Sequence, residues 1–79
     1  MNRKLFAERL NEELDAIGAP TLTDERIEAF SKLTKTPRFQ AAAILSGTRI
    51  PDPVLLNQIA QEFEVSVDWL LGNVEREKH

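Results

Sequence analysis

Residues 27–47 read IEAFSKLTKTPRFQAAAILSG, and the order of apolar, hydroxylated and helix-breaking residues within them decides the fold. Ile27, Phe30 and Leu33 recur at helical spacing and give one helix an apolar stripe. Thr34-Lys35-Thr36 interrupts the stripe. Pro37 then suits the first position of a new helix capped by Thr36, because its missing N–H would have no intrahelical partner there. This next helix, about 37–46, runs through Ile44 and Leu45 and stops at Gly47.

Outward from this stretch the same punctuation repeats. Phe6, Leu10, Leu14 and Ile17 mark a first helix, closed by a left-handed Gly18 and by Pro20. Thr23 is a good N-cap, with Asp24 and Glu25 in the first turn where the helix dipole favours negative charge. Leu22 before that cap is placed to staple against Ile27. Downstream, Asp52 caps and Pro53 takes the first position of a fourth helix, whose apolar face is Leu56, Ile59, Ala60 and Phe63. Ser66 caps a short fifth helix, Val67–Leu71, that ends at Gly72. No segment alternates as a strand does. The expectation is an all-α domain of five helices over residues 1–73, followed by a charged tail at 74–79.

Composition narrows the function classes. Seventy-nine residues make one domain, too small for a deep catalytic cavity and its supporting shell. The hydrophobic fraction of 42% and charged fraction of 29% are those of a globular chain, not a disordered one. With no cysteine there is no disulfide framework and no thiolate metal site, which fits a reducing cytoplasm. The longest unbroken apolar run, 41–45, is far too short for a membrane span, and no signal-peptide stretch opens the chain. There is no tyrosine, no internal histidine, no Gly-rich phosphate loop and no nucleophile elbow, so an enzyme is not expected. No cofactor or metal is expected either. Glu12, Glu13 and Asp15 read as a solvated face, and His79 is assigned nothing.

Charge is distributed unevenly. Residues 1–28 sum to −3 and 52–79 to −4, whereas 29–51 carry Lys32, Lys35, Arg38 and Arg49 and no acid, within a net charge of −3. A basic island in an acidic domain suits an anionic partner, and nucleic acid is the commonest one. On charge alone a solvated face is the better account. The island, however, opens the second of two helices joined by about three residues, the helix-turn-helix arrangement that places its second helix in the DNA major groove.

The 27–47 stretch resembles the helix-turn-helix of Cro/CI-type (XRE-like, lambda-repressor-like) phage and bacterial repressors. LLNQIAQEFEVSVDWLLGN, 55–73, is similar to the last two helices of that family, above all in VSVDWLLG. The likeness spans Phe6 to Asn73. It implies a double-stranded DNA operator as partner, a homodimer to which the last helix contributes, and a repressor of the phage or mobile-element type. Residue by residue, it buries Phe30, Ala41 and Ile44 and puts small Ser31 at a close helix contact. It turns Arg38, Phe39, Ala42 and Ala43 outward and leaves Gln40 at the edge. Ser46, Thr48 and Arg49 fall in a loop that touches phosphates, the helix N-terminus at Thr36-Pro37 offers amides to another, and Lys32 and Lys35 complete the basic rim. Arg38 would read guanine O6 and N7, Gln40 an adenine edge, and Phe39 with the two alanines would meet thymine methyls.

Three positions depart from the family pattern. Lys35 stands where glycine usually makes a left-handed turn, which predicts a strained lysine or a different turn. Ile27 replaces a polar residue that helps hold a base contact. FQAAA offers few hydrogen-bond donors, so an alternative stays open: a protein-interaction module on the same scaffold, an antirepressor or accessory subunit with little base readout. The DNA reading requires the outer face of the third helix exposed, its basic rim clear of acids, and the acidic first helix turned away from the duplex.

Overall fold

The computed structural model describes residues 2–75, which form five helices and no strand: α1 (Arg3–Ala16), α2 (Thr23–Thr34), α3 (Arg38–Leu45), α4 (Pro53–Phe63) and α5 (Val67–Leu71). Each start has a local cause. Asn2 caps α1, its side chain accepting from the Leu5 N–H at 3.0 Å. Asp52 caps α4 through the Leu55 N–H at 2.9 Å, with Pro53 in the first turn, and Ser66 caps α5 through the Trp69 N–H at 3.0 Å.

Two starts differ from expectation. Leu22, not Thr23, is the N-cap of α2, and Pro37, not Thr36, is the N-cap of α3; neither end has a side-chain cap. Leu22 is largely exposed, so it does not act as a buried staple over Ile27, which is itself half-buried. Ile17 lies one residue beyond α1, where the chain has left the helical path, and it too is exposed.

One core joins all five helices. Phe6, Leu10 and Leu14 from α1 meet Phe30, Ala41, Ile44, Ile59 and Leu70, all essentially without solvent contact. α1 lies against α3 and α5, α2 against α3 and α4, and α4 against α5. Trp69 is part of this core, and Arg9 seals it. The Arg9 guanidinium stands 5.0 Å from the indole centroid and donates to the carbonyls of Trp69 and Val74. That bond, with Asn73 N–H to the Asp68 carbonyl at 2.8 Å, holds residues 73 and 74 to the domain. Residues 76–79 of the expected tail, His79 included, lie outside the described residues.

The α2–α3 connection is the part of the fold that positions the site. Lys35 adopts the left-handed conformation, φ 54°, ψ 42°. A side chain there costs roughly 1–2 kcal/mol that glycine avoids. Part of that relief is offset by the extra freedom glycine has when unfolded. Lys35→Gly is therefore expected to stabilise the domain by about 0.5–1 kcal/mol, read in urea unfolding as a higher midpoint at unchanged slope.

Candidate nucleic-acid interface

Burial of Ala41 and Ile44 fixes the rotation of α3. On a helix, residues three and four positions away share a face. This register therefore points Phe39 away from the core, sets Arg38 at the flank, three residues before Ala41, and leaves Ala42 and Ala43 half-buried. Phe39 is 72% exposed. Nothing in the core needs its ring there, which makes it the largest apolar group that α3 presents to solvent.

The four cations of the island fall into two pairs. Arg38 reaches back to α2: its Nη1 donates to Glu28 Oε1 at 2.7 Å, and its Nη2 stands 3.7 Å from Asp24 Oδ1. The other oxygen of Glu28 is 3.5 Å from Lys32 Nζ. Lys32 and Arg38 thus share one carboxylate. Acids distant in sequence lie over part of the rim that the sequence alone leaves clear of them, and the Arg38 side chain remains half exposed. Lys35 and Arg49 form no ion pair among the described residues. Asp52 does line the shallow groove shared by Lys35, Pro37 and Gln40.

Thr36 does not face outward. It is 6% exposed, and its hydroxyl receives the Thr34 Oγ1 proton at 2.9 Å, while its carbonyl accepts from Ser31 Oγ at 2.5 Å. Gln58 Nε2 donates to the Thr34 carbonyl at 3.2 Å from α4. These bonds lock the turn, so Thr36 supports the site from beneath and offers no side chain to a ligand. Gln40 is half-buried at the edge.

Beyond α3, Ser46 Oγ and Thr48 Oγ1 lie 2.9 Å apart on the surface, next to Arg49. Gly47 between them takes φ +83°, and a Cβ there would lie 3.4 Å from Lys4 Cα. That close approach brings the chain's start to this loop. Arg3 Nη1 donates to the Thr48 carbonyl at 3.1 Å, and Lys4 lines the adjoining hollow. Arg3 and Lys4 therefore join Arg49, a basic group that local charge counting missed because 45 residues separate Arg3 from Thr48.

The acidic first helix is not turned away. Ala42 and Ala43 form one wall of an open groove of about 490 Å³ whose other walls include Asn11, Asp15, Thr23, Arg26 and Ile27. Glu8, Glu12 and Asp15 also share a depression with Leu45 and Ser46 at the end of α3. Arg26 closes the groove floor. It is 8% exposed and donates to the Pro20 carbonyl at 2.7 Å, to the Asn11 carbonyl at 3.2 Å, to Asn11 Oδ1 at 3.1 Å and to Asp15 Oδ1 at 2.5 Å.

This surface can bind a polyanion through Lys35, Arg49, Arg3 and Lys4, and can meet apolar groups through Phe39 and the alanines. No helix among the described residues is long and apolar enough to cross a membrane. Compared with protein-family models, curated proteins and solved structures, the chain matches none.

Proposed function

We propose that this protein is a sequence-specific DNA-binding transcriptional regulator with a lambda-repressor-like helix-turn-helix, acting as a repressor that lays α3 in the major groove. The observation that carries the reading is the α2–α3 pair itself. Three residues join the helices through a left-handed Lys35, and burial of Ala41 and Ile44 leaves a short helix with Phe39 outward and Arg38 at its flank. Cations without acid partners among the described residues stand on either side of it, at Lys35 and at Arg49. Two conditions set from the sequence are not met, since Asp24 and Glu28 lie over the Arg38 side of the rim and acids of α1 border α3. Phosphate contact therefore falls to the Lys35 and Arg49 ends. In this reading Lys35, Arg49 and the Ser46 and Thr48 hydroxyls hold phosphates, and Arg38 with Phe39 meets base edges. A homodimer would span a pseudo-palindrome with half-sites about one helical turn apart.

Binding to the DNA upstream of its own gene, measured against random DNA across a salt series, tests the proposal. Log affinity should fall with log salt at about −0.9 per neutralised phosphate. Lys35→Ala and Arg49→Ala should each weaken specific and random DNA alike and make the slope shallower by about 1. Affinity that ignores salt, or that never exceeds the random level, rejects it.

A second reading rests on a specific observation of its own. Phe39 is exposed on α3, whose Ala42 and Ala43 wall the groove that Asp15 also lines, and Asp24 and Glu28 pair with Arg38 next to it, a combination suited to a protein partner. In that case salt-insensitive association with another protein, abolished by Phe39→Ser, replaces DNA binding.

A further inference from the structure

We propose that Glu28 is a positioning residue that makes Arg38 selective for base edges over phosphates; the inference rests on the DNA-binding reading above. An untethered arginine on a DNA-facing helix swings to the nearest phosphate, a contact that carries no sequence information. Arg38 is not untethered. Its Nη1 is held by Glu28 Oε1 at 2.7 Å, within the charge-assisted range, and its Nη2 is 3.7 Å from Asp24 Oδ1, one turn earlier on α2. Glu28 is steadied from its other side by Lys32, 3.5 Å away.

Two consequences follow from this geometry. A guanidinium has five N–H donors in a rigid fork, so a bond to Glu28 leaves donors for a ligand and fixes the plane in which they point. A phosphate that approaches Arg38 must also approach two carboxylates, whereas guanine offers O6 and N7 acceptors on an uncharged base. The acids that lower the basic character of the rim therefore penalise backbone contact more than base contact. The same pair answers why a DNA-facing surface would carry Asp24 and Glu28 at all: they suppress non-specific capture.

The test starts from the sequence that the full chain enriches from a random duplex pool. Affinities for that site and for a scrambled duplex are then measured for the wild type, Glu28→Gln and Glu62→Gln. Glu62 is an exposed acid on α4, so its variant makes the same charge change away from α3. Glu28→Gln should tighten scrambled DNA more than the selected site and lower their ratio about three- to fivefold, the scale of an exposed ion pair. Glu62→Gln should leave the ratio unchanged. In an Arg38→Ala background, Glu28→Gln should shift the ratio no further. Thermal melts of every variant should overlay that of the wild type, since both acids are exposed. A ratio that moves equally in Glu28→Gln and Glu62→Gln, or that still moves without Arg38, overturns the positioning role and leaves DNA binding intact. A wild type that enriches no sequence overturns both.

Discussion

Arg26→Leu is expected to lower the stability of the domain by about 2–4 kcal/mol, whereas Asp15→Asn should lower it by less than about 1 kcal/mol. The contrast comes from what each residue satisfies. Arg26 is the buried partner, and two of its four acceptors are the main-chain carbonyls of Pro20 and Asn11, at the α1–α2 corner. Hydrogen bonds from a charged donor contribute about 1.5–3 kcal/mol each, and a carbonyl stranded beneath an aliphatic side chain adds its own desolvation cost. The groove readmits some water, which holds the total to the stated range. Asp15 keeps 62% of its side chain in solvent, so its ion pair with Arg26 is screened, and in Asp15→Asn the buried guanidinium loses its counter-ion but keeps the Pro20 and Asn11 acceptors. Against a total near 4–12 kcal/mol for a chain of this length, the arginine is a large fraction of the fold. Thermal unfolding should show Arg26→Leu melting about 10–25 °C lower, with Asp15→Asn within a few degrees of wild type. Equal losses in the two variants would mean that the ion pair, not the carbonyl clamp, holds the corner. Because Thr23, Arg26 and Ile27 share the groove with Ala42 and Ala43, loosening this corner also loosens the support behind α3.

Arg26 shows where reading the chain by pattern ends. The caps at Asp52 and Ser66, the breaks at Gly18 and Gly72, and the core of Phe6, Leu10, Phe30, Ala41, Ile44 and Leu70 were all legible, because each follows from chemistry within a turn or from a 3.6-residue period. Nothing in the local pattern singles out the arginine. Its burial depends on carbonyls 6 and 15 residues away, and no local period encodes them. Arg9 over Trp69 and Arg3 at Thr48 were hidden for the same reason. Thr36 was misread through a rule applied one residue out of place. A threonine before a proline looks like a cap, but here its hydroxyl pairs with Thr34 inside the turn, and proline itself ends up at the boundary. Leu22 reads as a staple and Ile17 as the end of an apolar stripe, yet both lie just past a helix end, where no helical face covers them. On the site, the outward arc of α3 was legible from Ala41 and Ile44 alone. The acids upon it were not. Charge counted along the chain placed Asp24 and Glu28 in a different segment from Arg38, and only the packing of α2 on α3 brings them to within 3.7 and 2.7 Å.

Arg38→Ala should erase preference at one G·C pair while leaving the fold intact. Arg38 is half exposed and supplies no core contact, so its loss removes an ion pair worth at most about 1 kcal/mol, and melting should change little. Its proposed contact with guanine is bidentate and contributes about 1–3 kcal/mol of discrimination, about 5- to 150-fold between the right and wrong base pair. Two arithmetic features separate this from a simple loss of charge. First, Lys35→Ala also removes one positive charge, yet it should scale affinity for all duplexes by one factor, because Lys35 has no acid partner among the described residues and faces only phosphate in this reading. Second, Arg38→Ala leaves Asp24 without its cation and Glu28 with Lys32 alone, so affinity for random DNA should fall as well, by like-charge repulsion. The Arg38→Ala, Glu28→Ala double variant should recover that non-specific part and none of the preference. Competition binding with single base-pair variants of the selected site measures both at once. Preference at one G·C pair should collapse to unity in Arg38→Ala and remain collapsed in the double variant, with preferences at the other positions retained. If Arg38→Ala instead lowers affinity uniformly, as Lys35→Ala should, then the arginine holds a phosphate, and whatever discrimination the protein has must come from Phe39 and the alanines against thymine methyls.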